Sequence, residues 1–460
     1  MDGLQKQLKT RHITMISLGG IIGAGLFVGS GAVIQTTGPS AVVSYAFAGL
    51  LVVFLMRMLG EMAAHNPDSG SFATYAREAI GPWAGYTVGW LYWFFWVIVI
   101  AIEAVAGAAI VHEWMPAVPI WLLSLILTVL LTLTNIFSVK SFGEFEYWFA
   151  MIKIVAIVLF MGIGLAIILN LFPGIESPGT LNLFGKGGFS PNGTSSILLG
   201  AATVIFAYFG AEIAAIAAGE SENPKKTIRI AIRSVVWRIL LFYIGSVAIL
   251  VTLLPWNSSE ALKSPYVTVL ELISLPGAGL VMNIVVLISV LSCLNSALYT
   301  NSRMIYSLAK RGDAPRIFGT LNRYGAPVAA VWAGTIAAFA AALFNFVSPD
   351  VLFQFLINSS GAIALIVYLA IAISHFILKK RMQRSGEEST LKMWLFPYLN
   401  YFVILSITGI LIFMAFIDSM RSQLFLTLLL TGVVIASYWV MKKRVDRAVY
   451  EEEPPNHQSS

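Results

Sequence analysis

Two stretches of this chain are apolar over membrane-spanning lengths, yet each carries residues at its middle that a simple anchor helix would avoid. Residues 13–34 contain Gly19-Gly20-Ile21-Ile22-Gly23-Ala24-Gly25, and residues 197–218 contain Phe206-Ala207-Tyr208-Phe209-Gly210-Ala211-Glu212. Glycine lowers helix propensity by ~1 kcal/mol relative to alanine, and a carboxylate at bilayer depth costs ~2.5 kcal/mol or more. Backbone freed from helical bonds persists in hydrocarbon only where protein surrounds it or it lines a cavity. Paired interruptions of this kind in two halves of a chain point to a substrate site in a membrane carrier. Glu103 and Lys153 are further ionisable residues inside apolar runs, and such residues are functional candidates by default.

The elements that must hold these residues are membrane helices. Of the 460 residues, 58% are hydrophobic and 11% charged, far from the soluble average of about 25% charged, and the mean hydropathy is +0.82. Apolar runs of ~18 or more residues read as spans, and about twelve are present. They lie near residues 13–34, 39–60, 83–111, 119–138, 147–168, 197–218, 235–255, 276–309, 327–346, 351–377, 394–417 and 423–441. No polar stretch is long enough for a separate soluble domain, so residues 13–441 read as one all-α transmembrane domain. Residues 1–12 are polar and basic, lead into a span too long for a signal-peptide core, and are expected to stay on the cytoplasmic side. Residues 442–460 are expected to form a disordered cytoplasmic tail.

The net charge of +6 suggests nucleic acid only until the charges are placed. With the N-terminus inside, alternate loops collect the 29 basic residues except Lys186, Lys263, Arg421 and the intramembrane Lys153. That asymmetry follows the positive-inside rule, so the basic balance is topological and no nucleic-acid partner is expected. Trp83, Trp90, Trp114, Trp121, Trp256 and Trp394 fall at or near span ends, where amphipathic rings favour the interface. The single cysteine, Cys293, excludes an intrachain disulfide and lies within a span.

The layout suggests an internal repeat. Spans one to five (about 13–168) and six to ten (about 197–377) each begin with an interrupted helix, and each has a long third helix. Five spans per half make the halves enter from opposite sides, so a two-fold axis would lie in the membrane plane. Two extra helices follow at about 394–441.

Several ordered motifs carry a family resemblance. Residues Gly19 to Gly31, Gly60-Glu61-Met62, Ser69-Gly70-Ser71-Phe72, Ser141 to Trp148, Ala218 to Pro224 and Ser292-Cys293-Leu294-Asn295-Ser296 resemble bacterial amino acid permeases of the amino acid–polyamine–organocation superfamily. Gly89-Trp90-Leu91-Tyr92-Trp93-Phe94-Phe95-Trp96 and Asn358 to Ala364 are most similar to the γ-aminobutyrate permeases within it. The resemblance implies a leucine-transporter-type fold with a 5+5 inverted repeat, located in the cell membrane. It also implies import of a small zwitterion by proton symport and alternating access, with no cofactor beyond the proton gradient. A permease for neutral or aromatic α-amino acids is the alternative.

Under that resemblance the interrupted helices acquire roles. Free N–H groups at Gly23, Ala24 and Gly25 suit a carboxylate. Carbonyls such as Ile21, Phe206 and Phe209 suit an ammonium. Gly19/Gly23 and Gly25/Gly29 also fit GxxxG packing faces, which is the bland reading. Phe206, Ala207, Tyr208 and Phe209 would line the pocket, with a ring acting as gate, against the alternative of core or lipid-facing aromatics. Glu212 matches a gating glutamate of similar permeases, against a protonated side chain capping unwound backbone. Glu103 is a pocket-side acid or proton site, against a structural partner for Ser or Asn. Lys153 matches a lysine that replaces the sodium ion of sodium-coupled relatives beside first-span carbonyls, against a lysine that snorkels to the interface. A desolvated lysine can gain and lose a proton in each cycle. Ser292, Cys293, Asn295 and Ser296 are plausible neighbours.

Other classes fit less well. An enzyme needs a nucleophile with its base, or a metal cluster, and the five histidines show no ligand spacing. A non-transporting amino acid sensor would need an added signalling domain. Half-closed broken helices suit alternating access better than a continuous pore. The expected partners are therefore the amino acid, protons and the lipid bilayer, with no obligate protein partner.

Overall fold

The structure, a computed structural model, describes residues 11–12, 15, 22–68, 70–137, 139–172, 174–185, 187–218, 224–273, 276–347, 349–387, 389 and 391–452. The regular structure of these residues is helical, with no β-strand among them. Eight helical stretches are long and apolar enough to cross a membrane, and three shorter apolar helices accompany them among the described residues.

The first expected span is interrupted early. Ile22 and Gly23 are non-helical, α1 is Ala24–Phe27, and α2 (Gly29–Thr37) follows after Val28. Ala24 and Gly25 thus open a helix and are not themselves unwound, which narrows the expected interruption to its N-terminal edge. Gly19, Gly20 and Ile21 lie outside the described residues. The second interruption comes later than its sequence suggested. α8 (Ser195–Tyr208) keeps Phe206, Ala207 and Tyr208 helical, because Phe209 N still reaches Ile205 O at 3.0 Å. The chain then turns through Phe209–Glu212 before α9 (Ile213–Ala218). Gly210 sits at φ 108°, a region that side-chain-bearing residues rarely adopt, and this is where the helix stops.

Two long helices form the centre. α5 (Pro82–Trp114) and α13 (Ala278–Lys310) have 33 residues each and share the most extensive helix contact among the described residues. A helix buried on all sides must be apolar all round: 78% of the most apolar stretch of α5 is buried. α3 (Ala41–His65) packs on α8, while α6 (Ile120–Phe137) and α14 (Val328–Val347) lie against α5. α7 (Val139–Ile168) packs on α13. α10 (Pro224–Arg238) passes through a π-helical turn at Ile239–Gly245 into α11 (Ser246–Leu253). α12 (Pro265–Glu271) is a short helix against α13, and α15 (Pro349–Ser385) touches α5 and α8.

α16 (Tyr398–Phe416) and α17 (Asp418–Glu452) lie at the periphery, where only 11% of the apolar stretch of α17 is buried. Trp148, Leu159, Leu405 and Leu429 turn outward; exposed apolar surface on this scale suits a lipid surround. α17 runs past residue 442 to Glu452, so the helix continues into the tail expected to be disordered. Lys442, Lys443, Arg444 and Arg447 are good helix formers, and polarity alone does not end a helix. Residues 453–460 lie outside the described residues.

Three further features of the fold have physical causes. The segment after α3 folds into α4 (Ser71–Ala79), fixed by Asp68, which accepts from Gly70 N at 2.6 Å and Thr74 Oγ1 at 2.7 Å. Arg77 pairs with Asp313 and ties α4 to the end of α13. Arg238 and Arg303, assigned to loops by the charge pattern, are 2% and 1% exposed. Arg303 rests 4.1 Å above the Tyr299 ring, a cation–π contact that lets a guanidinium lie inside a bundle. His375 is likewise interior: it shares the buried Glu61 carboxylate with Lys379, at 3.0 Å from Glu61 Oε2.

Candidate membrane carrier site

The first interruption is gripped by two ionisable side chains of opposite sign. Lys153, fully buried on α7, donates from Nζ to Ile22 O at 3.2 Å and to Ser292 Oγ at 2.8 Å. Two residues on, Ala24 N donates to both oxygens of Glu103, each at 3.2 Å. The carbonyl before the gap faces a cation and the amide after it faces an anion, as the orphan groups of a broken helix require. Gly23 lies between them in extended backbone, φ −140° and ψ −150°. A Cβ there would stand 2.6 Å from Glu103 Oε1 and 2.7 Å from Cys293 Cβ, so glycine is needed for close approach rather than for its backbone angles.

The snorkelling reading of Lys153 does not survive this geometry, since its ammonium points into the bundle. Glu103, for which the alternative was a structural partnership with Ser or Asn, caps backbone at Ala24 N. Cys293 is a small buried free cysteine beside Gly23. Ser292 joins Lys153 directly, whereas Asn295 sits one shell away, its Oδ1 accepting from Asn135 Nδ2 at 2.8 Å. Ser296 is buried beside Glu146. Ile21 lies outside the described residues, and so does the Phe206 side chain.

The second interruption is closed from within. Gly210 N donates to Glu212 Oε1 at 2.9 Å and Oε2 at 3.1 Å, so the turn is capped by its own glutamate. Tyr92 and Tyr368 hydroxyls donate to the two oxygens at 3.1 and 3.3 Å. The rings around this turn divide into two groups. Phe209 packs on Phe95 at 4.1 Å and Tyr368 at 4.8 Å. Tyr208 faces away, against Tyr243 at 4.6 Å, with its hydroxyl on Tyr45 O at 3.0 Å. One shared aromatic wall was expected; a helical α8 sends successive side chains about 100° apart, so Tyr208 and Phe209 serve different walls. Ala207 contributes its carbonyl, which accepts from Tyr243 Oη at 2.9 Å.

Sequence reasoning missed Glu146. It accepts from Ser292 Oγ at 2.5 Å and lies 3.9 Å from Lys153 Nζ, both residues being fully buried. It is seven residues before Lys153 on α7, two helical turns, so that spacing was the available signal. Tyr243 and Tyr368 were also missed, because nothing local marks a ring whose partner is remote. A cavity of about 490 Å³ is lined by His65, Asn66, Tyr75, Glu78 and Arg381 among others, and by no residue of either interruption. No group of three or more His, Cys, Asp or Glu fit to hold a metal occurs among the described residues.

Comparison with known proteins places the chain among membrane carriers. The amino acid permease family model matches residues 12–449. The γ-aminobutyric acid permease of Bacillus subtilis (strain 168) is 61% identical over 444 residues, covering 96% of this chain and 95% of that protein. The γ-aminobutyric acid permease of Escherichia coli (strain K12) is 48% identical, covering 97% of this chain and 96% of that protein. The aromatic amino acid transport protein AroP of Corynebacterium glutamicum is 40% identical, covering 94% of each chain. In fold, the chain is similar to a manganese transporter of Eremococcus coleocola, with a TM-score of 0.56 at 15% identity, over 93% of this chain and 92% of that one. Apolar helices arranged around two broken segments, with an ionisable side chain on each, thus belong to a multi-pass membrane protein, and the chain is a member of the amino acid permease family of the amino acid–polyamine–organocation superfamily.

Proposed function

We propose that this permease imports a small zwitterion, γ-aminobutyrate first, by proton symport and alternating access. The observation that carries the reading is the opposed pair at the first interruption: Lys153 on Ile22 O and Glu103 on Ala24 N. A substrate carboxylate takes the place of the Glu103 carboxylate at Ala24 and Gly25. The released Glu103 then faces the substrate ammonium, together with backbone of the second interruption. γ-Aminobutyrate carries its ammonium two carbons further from the carboxylate than an α-amino acid does, which suits an acid across the cavity. Lys153 carries the coupling proton in place of a sodium ion. The γ-aminobutyric acid permeases at 61% and 48% identity support this substrate.

The topology goes with it: twelve spans, helices one to five and six to ten as inverted repeats in a leucine-transporter-type fold, two extra helices, and both termini cytoplasmic. The positive-inside charge distribution and the two interruptions support this layout. Uptake of labelled γ-aminobutyrate into proteoliposomes, with and without an inward proton gradient, tests the reading. Uptake is expected to need the gradient and no sodium, and unlabelled γ-aminobutyrate is expected to compete better than phenylalanine by about tenfold, equivalent to about 1.4 kcal/mol. Strong competition by phenylalanine or alanine alone would transfer the protein to the α-amino acid permeases.

A further inference from the structure

Glu146 is a buried carboxylate that the carrier cycle above leaves without a task. It is on the same helix as Lys153, is fully buried, and its Oε2 has no hydrogen-bond partner among the described residues. A buried polar atom without a partner is uncommon in a folded protein and calls for an explanation. We propose that Glu146 is the proton acceptor of Lys153, with the Ser292 hydroxyl as the bridge, so that a Lys153–Ser292–Glu146 unit holds the coupling proton. The proposal rests on the proton-symport reading and deepens it.

The chemistry of the three groups fixes the direction of the bonds. An ammonium only donates, so Ser292 Oγ accepts from Lys153 Nζ, at 2.8 Å. The hydroxyl then has its own hydrogen to give, and Glu146 Oε1 receives it at 2.5 Å. The direct separation of Nζ and Oε1 is 3.9 Å, beyond hydrogen-bond reach, so the hydroxyl is required. In the transfer, Lys153 gives one proton to Ser292 Oγ as the Ser292 proton moves to Glu146 Oε1. The products are a neutral amine and a carboxylic acid, and no atom or charge is left over. Afterwards the chain runs in reverse, with the acid donating to Ser292 Oγ and the hydroxyl donating to the amine. No hydrogen bond is lost in either state.

The ion pair and the neutral pair are both tenable here, because the cost of desolvating two charges offsets much of their attraction in a low-dielectric interior. Asn295 and Ser296 of α13 lie beside the carboxylate, while Glu103 and Cys293 are the other titratable groups in electrostatic range of Lys153. The consequence for transport lies at Ile22 O. A charged donor bonds roughly twice as strongly as a neutral one. The position of the proton therefore sets how firmly Lys153 holds the carbonyl next to Gly23 and Ala24, where the substrate carboxylate docks.

The test uses the full-length protein in proteoliposomes and compares two modes: γ-aminobutyrate accumulation driven by a proton gradient, and counterflow at equal pH. Glu146→Gln and Ser292→Ala are expected to lose accumulation by about tenfold or more, the equivalent of one pK unit of coupling, and to lose more in gradient-driven accumulation than in counterflow. Ser292→Thr, which keeps a hydroxyl, is expected to restore accumulation. In infrared difference spectra, the protonated-carboxyl band that changes with substrate in wild type should be missing from Glu146→Gln. If Glu146→Gln concentrates substrate as wild type does, the acceptor assignment is overturned while symport stands. Wild-type uptake without proton entry would overturn both. Should Glu146→Gln fail to fold, the Ser292 pair decides: equal loss in Ser292→Ala and Ser292→Thr, or no loss in either, overturns the bridge.

Discussion

The two interrupted segments meet the same physical demand in opposite ways. Each leaves backbone amides that need an acceptor, and each finds a carboxylate. At the first, the carboxylate is borrowed from another helix: Glu103 is 79 residues from Ala24. At the second it is local, since Glu212 is two residues from Gly210 and is itself steadied by Tyr92 and Tyr368. The borrowed contact is the longer, 3.2 Å for both oxygens against 2.9 and 3.1 Å. A contact made between elements can be exchanged for a ligand when those elements move, whereas a cap within one turn travels with that turn. Under the proposed function, the first interruption is on this comparison the exchange point and the second a preformed hinge.

The largest effect that bears on the contrast is expected from Lys153→Ala. With no ammonium on Ile22 O, gradient-driven accumulation should vanish, a loss of about a hundredfold or more on the scale of proton-transfer catalysis, with substrate binding retained. A variant that still concentrates substrate under a proton gradient would remove the first interruption's special status.

Glycine substitutions come next. Gly23→Ala places a Cβ against Glu103 and Cys293, and overpacking of about 1–3 kcal/mol should fall on substrate affinity. Gly210→Ala forces a side chain to φ 108°, a strain of about 1–3 kcal/mol that should appear in thermal stability of the purified protein. Uptake kinetics and melting curves of both variants separate the two; the same pattern in each would break the comparison.

The smallest effect, and the sharpest, concerns the two carboxylates. Glu103→Gln should change the apparent affinity for γ-aminobutyrate by about tenfold, or roughly 1.4 kcal/mol. Glu212→Gln should leave affinity within about twofold and slow turnover instead. Concentration series of uptake measure both. An affinity change confined to Glu212→Gln would reverse the roles assigned here.

Much of this was legible along the chain. The apolar runs, the two interruptions, and the ionisable residues Glu103, Lys153 and Glu212 were readable because hydrocarbon tolerates so little polarity that each exception stands out. The second interruption was placed early because helical bonds persist to Phe209, and the aromatic run by itself does not reveal which residue needs a positive φ. Arg238 and Arg303 were misplaced for a related reason: charge patterning assigns a cation to a loop and cannot see a ring such as Tyr299 that shelters it.

By itself, then, the sequence determined that this is an all-helical membrane protein and which residues are too costly to be idle. Only the tertiary structure decided their partners. Ile22 and Lys153 are 131 residues apart, and Ser292 and Glu146 are 146 apart; no local periodicity relates positions on different helices. A hydrogen bond demands agreement within a few tenths of an ångström, whereas hydropathy and helix propensity specify only that a segment crosses and where it falters. Packing of α5, α7 and α13 around the first interruption supplies that agreement, and so brings Glu103, Lys153 and Ser292 together beside Ile22 and Ala24.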